Sequence, residues 1–181
     1  IGVGDYTVST GIYLYGVTDG NGCISSTTIS ISEPTLLVPS STSGDILCNG
    51  GTTTVSVAAI GGTAPYSGVG DYIVSAGTYT YDVTDANGCT FHTTITVDEP
   101  TLLVPSSTSA EILCNGGTTT VSVSATGGTA PYSGVGDYTV IAGTYTYDVT
   151  DANGCTFSTT ITVDEPTALV VYIGSPETVY Y

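Results

Sequence analysis

The chain has 181 residues with 16 acidic side chains, one His and no Lys or Arg, so its formal net charge is −16. This charge excludes nucleic acid and anionic membranes as electrostatic partners, because no side chain can neutralise a phosphate. The absence of Lys also excludes lysine-based isopeptide cross-links. Abundant Val, Ile, Tyr and Thr, Gly-rich turns and no helical periodicity predict an all-β protein. Membrane insertion is not predicted, since the longest apolar runs are far too short for a spanning helix.

The first predicted element is a β-hairpin over residues 11–34, GIYLYGVTDGNGCISSTTISISEP. Its two alternating runs are separated by an Asn-Gly turn, which is the strongest short-range hairpin signal. The pattern returns at 77–100 as GTYTYDVTDANGCTFHTTITVDEP and at 143–166 as GTYTYDVTDANGCTFSTTITVDEP. The hairpin is therefore one part of a repeat.

The repeat has a period of 66 residues: Asn-Gly-Cys, for example, ends at residues 23, 89 and 155. The predicted organisation is the C-terminal half of a repeat at 1–33, complete repeats at 34–99 and 100–165, and the opening strand of a further repeat at 166–181. We refer to each 66-residue unit as a copy. A domain of this size buries only about 60% of its unfolded surface, so it needs neighbouring copies or a disulfide for stability.

Within one copy, the pattern predicts an opening strand at 102–104, interrupted by Pro105 and continued at 111–114. Strands at 118–125, 131–133 and 138–142 follow, and the hairpin completes the copy. Six or seven short strands predict a small immunoglobulin-like β-sandwich. The expected fold class is therefore all-β, as tandem immunoglobulin-like repeats joined without a linker.

Three motifs recur in order along the chain: GGTAPY at 61–66 and 127–132, AGTYTYDVTDANGC at 76–89 and 142–155, and Glu-Pro at each boundary. In these motifs the sequence resembles the SprB repeat of gliding bacteria of the Bacteroidota. The resemblance implies a place in a long repeat array on a large secreted adhesin that forms cell-surface filaments. It implies no catalytic residues.

The cysteines recur at two turns. We name the turn at 48–51 and 114–117, Cys-Asn-Gly-Gly, the first turn, and the turn that ends in Asn-Gly-Cys the hairpin turn. Regular cysteine pairs in a small secreted domain predict disulfides, and the candidates are Cys23, Cys48, Cys89, Cys114 and Cys155.

Two disulfide schemes are open. Pairing within a copy would join Cys48 to Cys89 and Cys114 to Cys155. An odd number of strands would instead place the two turns at opposite ends of a copy, roughly 25 Å apart, which is beyond the reach of a disulfide. The preferred scheme is therefore a staple between copies, Cys48 with Cys155.

Oxygen-bearing side chains collect near the same junction. Calcium, which prefers oxygen ligands, would have the candidates Asp98, Glu99, Asp148, Asp151 and Asn153. The alternative is turn chemistry, since Asp and Asn favour turns through hydrogen bonds to their own backbone. Zinc is not expected, because the cysteine and histidine spacing does not match a zinc site.

Rows of Thr occupy the outward parity of several strands. Such hydroxyls are candidates for O-linked glycans, and they also suit a solvated strand face by propensity alone. The glycan candidates are Thr52, Thr54, Thr78, Thr80, Thr94 and Thr96.

The only His is His92, and its counterpart in the next copy is Ser158. With no second base beside a nucleophile, neither a catalytic site nor a cofactor is predicted. We expect a structural segment of a secreted bacterial cell-surface filament or adhesin stalk, partnered by neighbouring copies, assembling into a fibre and carrying covalent glycans. The alternative is a carbohydrate-binding or calcium-rigidified adhesion module.

Overall fold

A computed structural model describes residues 4–172 and 174. In this part of the chain all regular structure is β, and no helix is present. The strands form small antiparallel sheets of two or three strands each. The predicted all-β class is confirmed at this level.

The first hairpin pairs β1 (Gly11–Thr18) with β2 (Ile24–Ile31) in an antiparallel ladder. Its turn is held by Asp19, whose carboxylate accepts hydrogen bonds from the N–H groups of Asn21 and Cys23. Gly22 adopts φ 86°, a left-handed conformation that glycine tolerates at no steric cost. The Asn-Gly signal therefore predicted this turn correctly.

The same five strands follow in each complete copy, and each strand of the second set begins 66 residues after its counterpart (for example, 38 and 104). The first set is β3 (Val38–Ser43), β4 (Thr53–Ile60), β5 (Gly70–Val74), β6 (Gly77–Thr84) and β7 (Thr90–Val97). The second set is β8 (Val104–Ser109), β9 (Thr119–Thr126), β10 (Gly136–Val140), β11 (Gly143–Thr150) and β12 (Thr156–Val163).

Three details of the predicted strands are wrong, and each complete copy has five strands rather than the six or seven expected. Pro105 lies inside β8 rather than interrupting it, because β8 is an edge strand, where a missing N–H is tolerated. Residues 111–114 form no strand, since the chain there leaves the sheet and enters the first turn. The short strand expected at 131–133 is reduced to an isolated bridge between Ser133 and Thr150.

In the second copy, β9 is the central strand of a three-stranded antiparallel sheet with β8 and β10 at its edges. β11 and β12 form a separate hairpin. The edge strand β8 also runs beside β12, where the hydroxyls of Ser107 and Thr159 lie 3.0 Å apart. The sheet and the hairpin thus enclose one core.

That core consists of apolar side chains from the strands and from both ends of β8. Its buried members are Leu103, Ile112, Val121, Val123, Val149 and Val163. Val121 and Val123 alternate with exposed Ser122 and Ser124 along β9, as the predicted parity requires. Phe157 lies opposite buried Val149 and shares the parity of Val163, but 44% of its surface is exposed at the start of β12.

The chain divides into two compact units. The first unit comprises Ile1–Thr42, Val55–Tyr72 and Tyr79–Ile95, and the second comprises Ser43–Thr54, Ile73–Thr78 and Thr96–Tyr181. The second unit therefore contains the first turn of copy 34–99 together with all of copy 100–165.

The opening strand predicted at 166–181 lies partly outside the described residues. No strand is assigned at 166–172 or at 174. No helix long and apolar enough to cross a membrane occurs at 4–172 and 174.

Candidate functional site

The hairpin turn of the second copy, residues 151–155, is organised by one buried carboxylate. Asp151 Oδ1 accepts hydrogen bonds from the N–H groups of Asn153 and Cys155, both at 2.9 Å. Its Oδ2 accepts one from the N–H of Thr129, also at 2.9 Å. The Thr129 N–H is the largest influence on the carboxyl, and with those of Cys155 and Asn153 it lowers the pKa of Asp151 against the opposing effect of burial.

Asp85 organises the hairpin turn of copy 34–99 in the same way. Burial would raise the pKa of Asp85, but hydrogen bonds from the N–H groups of Cys89, Thr63 and Asn87 outweigh it and lower that pKa. The two turns are therefore built alike.

The first turn of copy 34–99 is anchored to the boundary between that copy and the next. Asn49 Nδ2 donates to the Pro100 carbonyl at 3.0 Å, and the Gly50 N–H donates to Glu99 Oε2 at 2.6 Å. Gly50 has φ 77°, which favours glycine at this position. These contacts were not predicted, although the repeated Asn-Gly-Gly at 49–51 and 115–117 marks the turn that makes them.

A disulfide joins Cys48 to Cys155, with a Cα–Cα distance of 5.7 Å. This is the preferred pair between copies, and both cysteines lie in the second unit. Beside the bond, Asn153 Nδ2 donates to the Leu47 carbonyl at 2.9 Å. Cys155 is buried, with 9% of its surface exposed. The first turn of one copy is therefore stapled to the hairpin turn of the next.

The other three candidate cysteines are Cys23, Cys89 and Cys114, which are free and exposed. The within-copy pairs Cys48–Cys89 and Cys114–Cys155 are therefore both absent, because Cys48 and Cys155 are bonded to each other.

Four of the five calcium candidates make hydrogen bonds within the protein. Asp151 holds the hairpin turn, Glu99 accepts the Gly50 N–H, and Asp148 Oδ1 accepts the Ser158 hydroxyl at 2.6 Å. Asn153 donates to Leu47, and Asp98 is exposed. Within 4–172 and 174, no group of three or more His, Cys, Asp or Glu side chains is placed to hold a metal ion. Calcium binding stays a prediction.

The six glycan candidates, Thr52, Thr54, Thr78, Thr80, Thr94 and Thr96, are all exposed. Four of them form cross-strand hydroxyl pairs, Thr78 with Thr96 and Thr80 with Thr94, each at 3.0 Å. Their counterparts in the second copy pair in the same way. Glycosylation itself stays a prediction.

The comparisons with known proteins add no relative. No protein-family model matches the chain, and no curated protein matches it.

Proposed function

We propose that this chain is a load-bearing segment of a secreted bacterial cell-surface filament or adhesin stalk, built from tandem immunoglobulin-like copies and without catalysis. The observation that carries the proposal is the Cys48–Cys155 disulfide. It links consecutive copies rather than the two ends of one copy. A bond in that position serves the connection between copies.

The disulfide offers a covalent path for force. Tension that enters copy 34–99 at Cys48 passes through the disulfide to Cys155, which lies 107 residues further along the chain. The strands between these two residues are bypassed, so their separation cannot lengthen the chain. A stalk under load needs this property, whereas a binding module does not.

Non-covalent contacts restrain the same junction. Only six residues, 98–103, separate the end of β7 at Val97 from the start of β8 at Val104. Within them, the Pro100 carbonyl and the Glu99 carboxylate both bind the first turn. The connection is thus hydrogen-bonded to the body of the protein, unlike a flexible linker.

Two further features support a secreted stalk. Disulfides persist mainly in oxidising compartments such as the cell exterior, and the motif resemblance to SprB repeats implies the same location. Saccharide-binding surfaces usually present exposed aromatic rings, but Tyr138, Tyr145 and Tyr147 are half-buried against the core. This arrangement favours the structural role over the carbohydrate-binding one.

Single-molecule force spectroscopy on the whole chain, pulled by its ends, tests the proposal. With the disulfide intact, the segment from Cys48 to Cys155, a sequence separation of 107, contributes no extension. Adding a reductant is expected to release roughly 350–385 Å of extra contour length at about 3.3–3.6 Å per residue.

The control is Cys114→Ser, which leaves the disulfide in place and is expected to behave like the unchanged chain. If the oxidised chain already unfolds to its full contour length, the disulfide does not carry the load and the proposal fails.

A further inference from the structure

Three tyrosine rings lie together beside the core of copy 100–165. Tyr138 comes from β10, which belongs to the three-stranded sheet, and Tyr145 and Tyr147 come from β11, which belongs to the hairpin. All three rings pack against the buried core cluster. We name this set the tyrosine trio of the copy. The trio therefore spans the sheet and the hairpin that enclose the core.

Within the trio, Tyr138 and Tyr147 form the closest pair. Their ring centroids lie 4.7 Å apart, with an angle of 34° between the ring planes. Aromatic pairs in proteins have centroids roughly 4.5–7 Å apart, so these two rings are in direct contact. Tyr145 and Tyr147, which lie on the same strand, have centroids 6.4 Å apart. The closest ring contact is thus the one between the sheet and the hairpin.

The hydroxyl of Tyr147 differs from those of its two neighbours. Tyr138 donates to the Gly134 carbonyl at 3.1 Å, and Tyr145 donates to the Ile141 carbonyl at 3.0 Å. The Tyr147 Oη is buried and has no hydrogen-bond partner among the described residues. Burial, followed by the neighbouring Tyr145 and Tyr138, raises the pKa of Tyr147.

Packing alone would favour phenylalanine at position 147. A phenylalanine ring fills the same space and leaves no unpaired polar atom in the core, and such atoms cost stability. What the phenol adds to the ring is a group that a one-electron oxidant can attack, and that then couples to another phenol in contact with it. The arrangement therefore points to chemistry rather than to volume.

The same arrangement recurs in copy 34–99, whose trio is Tyr72, Tyr79 and Tyr81. The rings of Tyr72 and Tyr81 have centroids 4.6 Å apart at 35°, and the Tyr81 hydroxyl is likewise buried without a partner in the described part of the chain. Tyr79 lies 6.5 Å from Tyr81. Both complete copies therefore carry one close pair of phenols with a buried, unpaired hydroxyl.

We propose that the pairs Tyr72–Tyr81 and Tyr138–Tyr147 are sites of oxidative cross-linking, at which a peroxide converts each pair to dityrosine. The new carbon–carbon bond joins ring carbons ortho to the hydroxyls. It links β5 to β6 in one copy and β10 to β11 in the other, so it ties the three-stranded sheet to the hairpin. The inference concerns a modification within each copy and does not rest on the stalk proposal.

In the reaction, each phenol gives up one electron and one proton and becomes a phenoxyl radical. The two radicals couple at their ortho carbons, and the hydrogens on those carbons move to the oxygens and restore both phenols. Hydrogen peroxide, activated at a haem centre, takes up the two electrons and two protons and becomes two molecules of water. Because Tyr138 and Tyr145 are only half-buried, the oxidant can act at the surface and the radical can pass inward to Tyr147.

The test uses the full chain with its free cysteines alkylated and the Cys48–Cys155 bond intact. It is treated at low concentration with a small haem-peptide peroxidase and hydrogen peroxide, and the monomer is then cleaved after Asp and Glu. This cleavage gives the peptides 72–82 and 138–148, which differ in sequence and contain one trio each. Both peptides are expected to be lighter by two hydrogen atoms and to give no fragment ions from breaks between the paired tyrosines.

Matched variants separate the close contact from random coupling. Tyr138→Phe and Tyr145→Phe each remove one phenol from the same peptide and keep its ring. Tyr145→Phe is expected to retain the cross-linked peptide 138–148, whereas Tyr138→Phe, which leaves only the 6.4 Å pair, is expected to lose it. Tyr147→Phe removes no hydrogen bond within the described residues, so it is expected to fold and also to lose the cross-link.

The peptide 72–82 of each variant is the internal reference, and circular dichroism checks that the variants are folded. Unmodified peptides 72–82 and 138–148 in the peroxide-treated chain, or equal yields of cross-linked peptide from Tyr138→Phe and Tyr145→Phe, would overturn the inference. The force measurement uses chains that have met no peroxide, so this inference and the stalk proposal succeed or fail separately.

Discussion

Asp151 illustrates how a carboxylate in a repeat can serve the backbone rather than a ligand. Its two oxygens accept hydrogen bonds from Thr129, Asn153 and Cys155, which brings the GGTAPY loop and the hairpin turn together. In an all-acidic chain, such bonds to N–H groups stabilise a charge that no Lys or Arg is present to neutralise. The turn-chemistry alternative considered for this residue is the one that its contacts match.

We predict that Asp151→Asn lowers the melting temperature at pH 7 and that the loss shrinks at pH 3. Because folding lowers the pKa of this carboxyl, the folded protein binds fewer protons between the two pKa values. The stabilisation is therefore present above the unfolded pKa of about 4 and disappears as the pH falls through the folded pKa.

Thermal unfolding followed by circular dichroism at the two pH values would check this prediction. Asp98→Asn, at an exposed carboxyl near the copy boundary, is the matched control and is expected to change little at either pH. Equal losses for Asp151→Asn at pH 7 and pH 3 would contradict the pKa argument.

At the scale of the element, the two faces of the β11–β12 hairpin have different roles: alternate residues face the core or the solvent. Its inward residues, such as Val149 and Val163, belong to the core. Its outward face carries a ladder of threonine pairs whose hydroxyls lie 2.8–3.0 Å apart. This face contributes polar surface to a chain in which only 9% of the residues are charged.

We predict that material from the native source carries glycans on the outward threonines, Thr52, Thr54, Thr78, Thr80, Thr94 and Thr96. An O-linked sugar consumes the donor hydrogen of one hydroxyl, while its cross-strand partner can still donate to the remaining oxygen. Exposure and hydrogen bonding are therefore compatible with a sugar on one member of each cross-strand pair.

Peptide mass spectrometry would check this prediction, with a Glu-specific protease because the chain has no Lys or Arg for trypsin to cleave after. Thr119 is the internal control: it is buried and donates to the Ala110 carbonyl, so it is expected to stay unmodified. Unmodified masses for every peptide that contains an outward threonine would disprove the prediction.

At the scale of the whole molecule, the Cys48–Cys155 bond closes a loop that runs from the first turn of copy 34–99 to the hairpin turn of copy 100–165. Cross-links that close long loops restrict the unfolded chain most, and a loop of about 100 residues has a predicted entropic stabilisation of roughly 4–5 kcal/mol. Each copy is too small to bury a large core, so this contribution is a substantial share of the total stability.

We therefore predict that replacing both Cys48 and Cys155 with Ser reduces the free energy of unfolding by roughly 2–5 kcal/mol. Urea unfolding of the double variant and of the oxidised chain, each with and without reductant, provides the measurement. Cys114→Ser is expected to match the unchanged chain in both conditions. The prediction is wrong if the double variant and the oxidised chain share one unfolding midpoint.

Periodicity predicted much of the fold. The three hairpins, the five strands repeated at 66 residues and the inward valines of β9 follow from local alternation and Asn-Gly turns, which depend on neighbouring residues alone. The strand expected at 111–114 was wrong, because the chain there leaves the sheet and enters the first turn. An alternating pattern does not show whether a neighbouring strand is present to pair with those residues.

The junction between the copies was likewise predicted in part. The sequence by itself determined that cysteines recur at two turns, and the odd-strand argument favoured Cys48 with Cys155. Only the tertiary structure decided that Asn153 reaches the Leu47 carbonyl, that Glu99 and Pro100 hold the first turn, and that Cys89 and Cys114 stay exposed. These contacts join residues about 50 or more positions apart, and local sequence patterns report on secondary structure rather than on the distance between remote turns.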